Sequence, residues 1–155
     1  MTHHKFGLCN KWLLLSLVLV LAILPTGCHK IDNPVLVTRL IDGDTIEIEG
    51  GYHVRYIGID APEKGEPFYG EATEANRNLV EGKKVHLEGD VEDKDDNGRL
   101  LRYVWFDNTM VNAELVRLGY AYSYSYPPNT KYQQYILQTE REAREQKLGL
   151  WSLSP

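Results

Sequence analysis

The chain has 155 residues, 43% of them apolar and 25% charged, with a formal net charge of −5. That length holds one ordinary domain, and that composition excludes a disordered chain and a polytopic membrane protein. The charge excludes a strongly basic nucleic-acid coat protein but leaves room for an enzyme with a small basic cleft.

Residues 1–27 stand apart. Lys5 and Lys11 precede a 13-residue apolar run, Trp12 to Leu24, broken only by Ser16. A spanning helix needs about 20 apolar residues, so the run reads as a signal-peptide core. It ends at Pro25-Thr26-Gly27-Cys28, which resembles a bacterial lipoprotein cleavage box with Pro25 in place of the usual aliphatic residue. The expectation is a lipoprotein-type signal peptide over 1–27 and Cys28 as the lipidated first residue, held at the cell-envelope membrane. Ordinary secretory cleavage, giving a periplasmic or extracellular protein, and an uncleaved anchor are the alternatives. Each acyl CH₂ buried in the membrane contributes ~0.8 kcal/mol. Cleavage removes two lysines and Cys9, leaving 128 residues at net charge −7 with one cysteine. No intrachain disulfide is then possible, so stability rests on a core.

Residues 28–34 read as a polar tether, and the domain follows over 35–152. Val35 to Ile41 is rich in β-branched residues and stops at Asp42-Gly43, a strand and its turn. Thr45 to Glu49 alternates apolar and polar and ends at the hairpin signal Gly50-Gly51. Tyr52 to Ile59 alternates again, with Val54, Tyr56 and Gly58 on one face and His53, Arg55, Ile57 and Ile59 on the other. That phase puts Arg55 among apolar residues, either snorkelling at an edge or held in a cleft. Pro62 closes the strand. Tyr69 to Val80 reads as a helix with Ala72, Ala75 and Leu79 on one stripe and Gly82 as its stop. Lys84 to Glu88 and Arg99 to Phe106 read as strands, separated by the polar run Glu92 to Gly98. Asn112 caps a short helix that ends at Gly119. Tyr120 to Tyr126 alternates aromatic and small residues, and Thr130 to Leu148 is helical with Gly149 as its stop. Five strands with interspersed helices predict an α+β, mainly β chain: a small closed barrel with about three flanking helices.

Three stretches carry candidate chemistry: Ile41-Asp42-Gly43-Asp44-Thr45, Val54-Arg55-Tyr56-Ile57-Gly58-Ile59-Asp60-Ala61-Pro62-Glu63, and Asp95-Asp96-Asn97-Gly98-Arg99-Leu100-Leu101-Arg102-Tyr103-Val104. In this order and spacing they resemble the staphylococcal nuclease (thermonuclease) family. Val111 to Ala121 and the ending Lys147-Leu148-Gly149-Leu150-Trp151 resemble that family's following segments, so the likeness covers about Val35 to Ser152. It implies a five-stranded OB-fold barrel and a nuclease that cleaves DNA and RNA to 3′-phosphates.

Phosphodiester hydrolysis needs a hard cation, a positioned water and positive charge on the phosphate. Asp44 and Asp60 end two predicted strands and suit Ca²⁺, which takes oxygen ligands; the resemblance adds the backbone carbonyl of Ala61. It also implies that Glu63 is the general base or orients the attacking water, and that Arg55 and Arg99 are the catalytic arginines. A guanidinium fork meets two phosphate oxygens at once and stays charged at any working pH. Taken singly these residues have plainer readings: Asp44 a turn residue, the arginines surface ion-pair partners, Glu63 a solvated carboxylate. Together they supply the parts one reaction needs.

Tyr124 and Tyr126 are candidates to contact the nucleotide, against the alternative that alternating tyrosines fill a core or cover a rim. Lys83 and Lys84 are candidates to meet the phosphate backbone, against a solvated turn. Asn97 stands where the family often has Tyr, which removes one expected phosphate contact. Asp93 to Gly98 fits the start of an EF-hand loop, but the twelfth position would be Val104, which offers no carboxylate. The stretch therefore reads as an acidic turn that delivers Arg99. His53 and His86 lack metal-ligand spacing and call for no zinc. The partners expected are single-stranded or denatured DNA and RNA, the membrane through the lipid anchor, and no protein, the chain being a monomer. Two other classes stay open: a non-catalytic OB-fold binding module and an envelope interaction lipoprotein. The −7 charge favours the latter, since it opposes polyanion approach at long range.

Overall fold

The computed structural model describes residues 33–153. The signal-peptide run, its cleavage box and Cys28 lie outside the described residues.

Five strands close into a barrel. Strand β1 (Val35–Leu40) pairs antiparallel with β2 (Thr45–Ile48), and β2 with β3 (Tyr52–Tyr56) across the Gly50-Gly51 turn. After a two-residue strand β4 (Ile59–Asp60) and helix α1 (Tyr69–Val80), β5 (Lys84–Glu88) pairs back onto β1. Strand β6 (Leu100–Phe106) lies antiparallel to β5 and closes the barrel by running parallel to β3. The remaining elements are β7 (Thr109–Met110), α2 (Val111–Arg117), β8 (Tyr122–Ser123), α3 (Gln133–Glu145) and a final 3₁₀ turn over Gly149–Leu153. Closure removes free sheet edges and buries one face of every barrel strand. That interior holds Val37, Ile46, Val54, Tyr56, Val85 and Leu101.

Alternation dictates most of this. In β3, Val54 and Tyr56 are buried while Tyr52 and His53 are exposed. The expected strand over 52–59 nevertheless stops at Tyr56. Gly58 adopts φ +82°, a conformation side chains resist, and turns the chain there. Ile57 and Ile59 flank that turn and are both buried, so they do not continue the Arg55 face. Restarting as β4 lets the chain pair with β8, Ile59 opposite Ser123 and Asp60 opposite Tyr122. The Tyr120–Tyr126 alternation is thus strand only at Tyr122–Ser123.

Asn112 is also not the cap expected of it. Met110 occupies the cap of α2, and Asn112 lies fully buried in the helix. Its Oδ1 accepts from the Val104 N–H at 2.9 Å, and its Nδ2 donates to the carbonyls of Ile57 at 2.9 Å and Arg102 at 3.2 Å. One side chain thereby joins α2, β6 and the turn that follows β3. Tyr56 and Asn76 do the same for α1. The Tyr56 hydroxyl donates to Asn76 Oδ1 at 2.9 Å, and Asn76 Nδ2 donates to the Asp42 carbonyl at 3.1 Å. The chain between Glu88 and β6 is held by Asn129, which is fully buried and exchanges hydrogen bonds with both backbone groups of Glu92. Helix α3 docks through Tyr132 at its N-terminus, whose ring packs edge-on against Tyr103 and Trp105.

Replacing Asn112 by Ala leaves the Val104 N–H and the Ile57 carbonyl buried and unpaired, each costing about 1–3 kcal/mol. Urea unfolding of Asn112→Ala is expected to show a loss of about 4 kcal/mol, the sum of two such penalties near the middle of that range.

Candidate active site

The turn between β1 and β2 carries two acids. Asp42 Oδ1 accepts the Asp44 N–H at 3.1 Å, which folds the loop over Gly43. A Cβ at Gly43 would stand 2.6 Å from Ala61 Cβ and 3.0 Å from Ala72 Cβ, so only glycine lets this turn nest between the β4 exit and α1. The nesting buries Asp44. Its Oδ2 accepts the Ala61 N–H at 2.7 Å, and Thr45 Oγ1 donates to its Oδ1 at 3.2 Å.

Thr45 pairs with Arg55 across β2 and β3, and the Tyr56 N–H donates to the Asp44 carbonyl at 2.9 Å. This register brings Arg55 alongside Asp44. Arg55 Nη1 lies 2.9 Å from Asp44 Oδ2 and donates to the Tyr56 and Ile59 carbonyls at 3.1 and 3.0 Å, while Nη2 donates to Asp60 Oδ1 at 2.8 Å. Arg55 is thus neither snorkelling nor free; both ends of its fork are held.

The parallel register of β3 on β6 sets Leu101 opposite Arg55, so the chain reaches that place by way of Arg99. Asp95 organises the turn before it. Its Oδ1 accepts the N–H groups of Asn97 at 3.0 Å and Arg99 at 2.9 Å, and its Oδ2 accepts Arg99 Nε at 2.7 Å. Burial by itself would raise the Asp95 carboxyl, but the hydrogen bonds and charge of Arg99 outweigh it and hold the group below the ordinary range. The acidic turn delivers Arg99 and fixes its guanidinium as well.

Arg55, Asp60, Asp95, Asn97, Arg99, Tyr124 and Tyr126 line one cleft of about 310 Å³. Tyr124 joins it because its N–H donates to the Gly58 carbonyl at 2.9 Å, extending the β4–β8 ladder by one step. Of the residues expected from sequence, the structure therefore gathers Arg55, Asp60, Arg99, Tyr124 and Tyr126, with Asp44 and Ala61 joined to them through Arg55 and the Ala61 N–H. Glu63 does not line the cleft. It is exposed on the loop past Pro62, where its N–H donates to Glu66 Oε2 at 2.7 Å. Lys83 and Lys84 do not line it either. Lys83 Nζ donates to the carbonyls of Asn78 and Leu79 at 2.8 and 2.9 Å and lies over the Phe106 ring, which neutralises the C-terminal end of α1. Lys84 sits exposed in β5, paired with Leu36.

Asp42 has no assigned role in the sequence, although it belongs to the first motif. Its carboxylate accepts the Asp44 N–H, while Asp44 and Asp60 are the two carboxylates paired with the Arg55 guanidinium. Burial raises the Asp44 carboxyl to about 7; Arg55 and the Ala61 N–H oppose that, while Asp42 and Asp60 add to it. Among the described residues no three His, Cys, Asp or Glu side chains form a metal-ligand cluster. The donors that do meet here are carboxylate and carbonyl oxygens, a set that fits a hard cation with few protein ligands. An excess of negative charge over the single guanidinium is the electrostatic condition such a cation relieves.

The sign of the Asp44 effect is testable. A carboxyl raised on folding binds its proton more tightly in the native state. The ionisation penalty is absent below the unfolded value near 3.8 and accumulates up to about 7. With chelator present, the stability of Asp44→Asn relative to the parent chain is expected to rise as pH goes from 4 to 8; urea unfolding at intervals across that range measures it.

A family model described as staphylococcal nuclease homologue matches residues 53–153. A thermonuclease of Staphylococcus intermedius is 41% identical over 125 residues, covering 75% of this chain and 74% of that protein. A thermonuclease of Staphylococcus hyicus is 39% identical over the same length and shares. Endonuclease YncB of Bacillus subtilis (strain 168) is 43% identical over 131 residues, covering 77% of this chain and 62% of that protein. The barrel, its cleft and these likenesses agree, and the chain belongs to the staphylococcal nuclease family.

Proposed function

We propose that this chain is a Ca²⁺-dependent nuclease that hydrolyses phosphodiester bonds of DNA and RNA, prefers single strands and leaves 3′-phosphates. Membership of a nuclease family makes the chain a phosphodiester hydrolase. The observation that carries the finer reading is the meeting of Arg55 and Arg99, from opposite halves of the chain, on the walls of one cleft beside Asp60.

In this reading the two guanidinium groups take the non-bridging oxygens of the scissile phosphate and stabilise the charge that builds up at five-coordinate phosphorus. Arg55 exchanges its contact with Asp60 for phosphate, while the carbonyls of Tyr56 and Ile59 keep it aimed. Asp95 holds Arg99 by Nε, which leaves its terminal nitrogens for substrate. Asp44, Asp60 and the Ala61 carbonyl would hold the cation, which when bound polarises a phosphoryl oxygen and offsets the local carboxylates. Glu63 works from the rim, taking the proton of a water that attacks in line. Tyr124 and Tyr126 offer ring faces to a neighbouring base, a contact open only to unpaired strands.

The reading extends to the location of the enzyme. The basic and apolar N-terminal run and the box before Cys28 support export and attachment to the envelope membrane by acyl chains. Labelled fatty acid is expected on the parent chain and not on Cys28→Ser; an unlabelled parent removes the anchor.

The full-length chain, incubated with denatured DNA and with RNA, is expected to degrade both with Ca²⁺ and neither with chelator. Glu63→Gln and Arg55→Lys are each expected to slow turnover by ~10²–10³, within the ranges for a lost general base and a lost transition-state donor. Product ends should resist polymerase extension until treated with phosphatase. Binding without degradation would make the protein a nucleic-acid-binding module, and neither binding nor degradation an envelope interaction lipoprotein.

A further inference from the structure

We propose that Tyr122, Trp151 and Arg144 form a second stacking subsite for single-stranded nucleic acid, beside Asp60 and one i, i+2 step along the strand from Tyr124. The proposal rests on the nuclease reading of the cleft and adds to it a path for the strand beyond the scissile phosphate.

The β4–β8 ladder supplies the geometry. Asp60 and Tyr122 are directly opposite, so their side chains rise from the same face of the pair. Gly58 accepts from Tyr124 one step further along. Asp60 thus faces Tyr122, and Tyr124 follows at i, i+2, about 6.7 Å further along an extended strand. That repeat is close to one step of a stretched single strand. Ser123, between them, points away into α3: its Oγ accepts Gln133 Nε2 at 3.0 Å and its N–H donates to Glu140 Oε1 at 3.2 Å. These bonds fix the phase of β8, so Tyr122 cannot turn inward.

The surface beside Asp60 is aromatic and cationic. Tyr122 is 40% exposed. Its ring meets Trp151 edge to face at 5.3 Å, and the Arg144 guanidinium lies 4.0 Å from the Trp151 ring centroid. Arg144 is anchored by Glu140 at 3.4 Å, yet more than half of its side chain remains exposed. A lone exposed tyrosine needs no explanation. An exposed tyrosine supported by an indole, flanked by a guanidinium and placed directly across the ladder from a candidate metal carboxylate has the composition of a sequence-tolerant base platform. In a chain of net charge −5, such a local cation is also what a polyanion needs at the exit of the cleft.

Fluorescein-labelled oligothymidylates of two and ten nucleotides, titrated against the full-length chain in chelator, test this by anisotropy without hydrolysis. Tyr122→Ala is expected to weaken the ten-mer by about 10-fold and leave the dinucleotide within 2-fold, since one stacked base is lost. Tyr122→Phe should bind like the parent. If Tyr122→Ala fails to fold, Tyr122→Leu keeps the bulk against Trp151 without a ring face and should give the same pattern. Equal loss on both oligonucleotides, no loss on either, or a parent chain that binds no ten-mer would each overturn the proposal. Hydrolysis is the separate readout of the nuclease reading: a parent that binds in this length-dependent way but does not cut would sink that reading and leave the subsite standing.

Discussion

Arg55 sits with its guanidinium between Asp44 and Asp60, close to 2.9 Å from each, and also faces two backbone carbonyls. The rest of the site is arranged around that placement. Asp44 is buried because Gly43 allows its loop to nest against Ala61 and α1, and a buried carboxylate needs a partner. Asp60 reaches the same guanidinium only because Gly58 breaks the strand and restarts it against β8. Without that guanidinium, Asp44 and Asp60 would face one another unpaired, with Asp44 out of water.

The fold explains why these groups meet. Four neighbouring strand pairs of the barrel are antiparallel, but its closing pair, β3 on β6, is parallel and joins segments far apart in sequence. Arg55 belongs to one side of that seam and Arg99 to the approach of the other. The polar ties from Asn112 and Asn76 run between the barrel and the helices packed on it, and that from Asn129 joins two loops. Each is a buried amide serving backbone groups that have no ladder partner, which is how irregular chain is kept near a barrel without orphaned donors.

Much of this was legible in the residues. Asp44, Arg55, Asp60 and Arg99 sit at strand ends beside strong turn signals, so their relation survives small errors in element bounds. The stretch Asp93 to Gly98 reads in sequence as an acidic turn that delivers Arg99; that Asp95 also grips the guanidinium emerges only from the structure. What was hidden depended on tertiary position. Asn112 resembles a cap by residue type, yet cross-strand carbonyls claim it. Lys83 resembles a phosphate contact, yet the α1 carbonyls lie nearer. Strands β4 and β8 have two residues each, too few for any period to be read. The Tyr52–Ile59 alternation ran on in sequence through a glycine that turns the real chain. Glu63 stands at the predicted place in the chain but outside the cleft walls, because its loop closes locally on Glu66.

The seam between β3 and β6 carries one more implication. Every group assigned to phosphate is present in the unfolded polypeptide, but the cleft exists only after the two halves have zipped together. A chain still emerging from the ribosome therefore lacks the cleft and is harmless to the nucleic acid around it. Cutting power appears only at the close of folding, so the enzyme reports on its own completion.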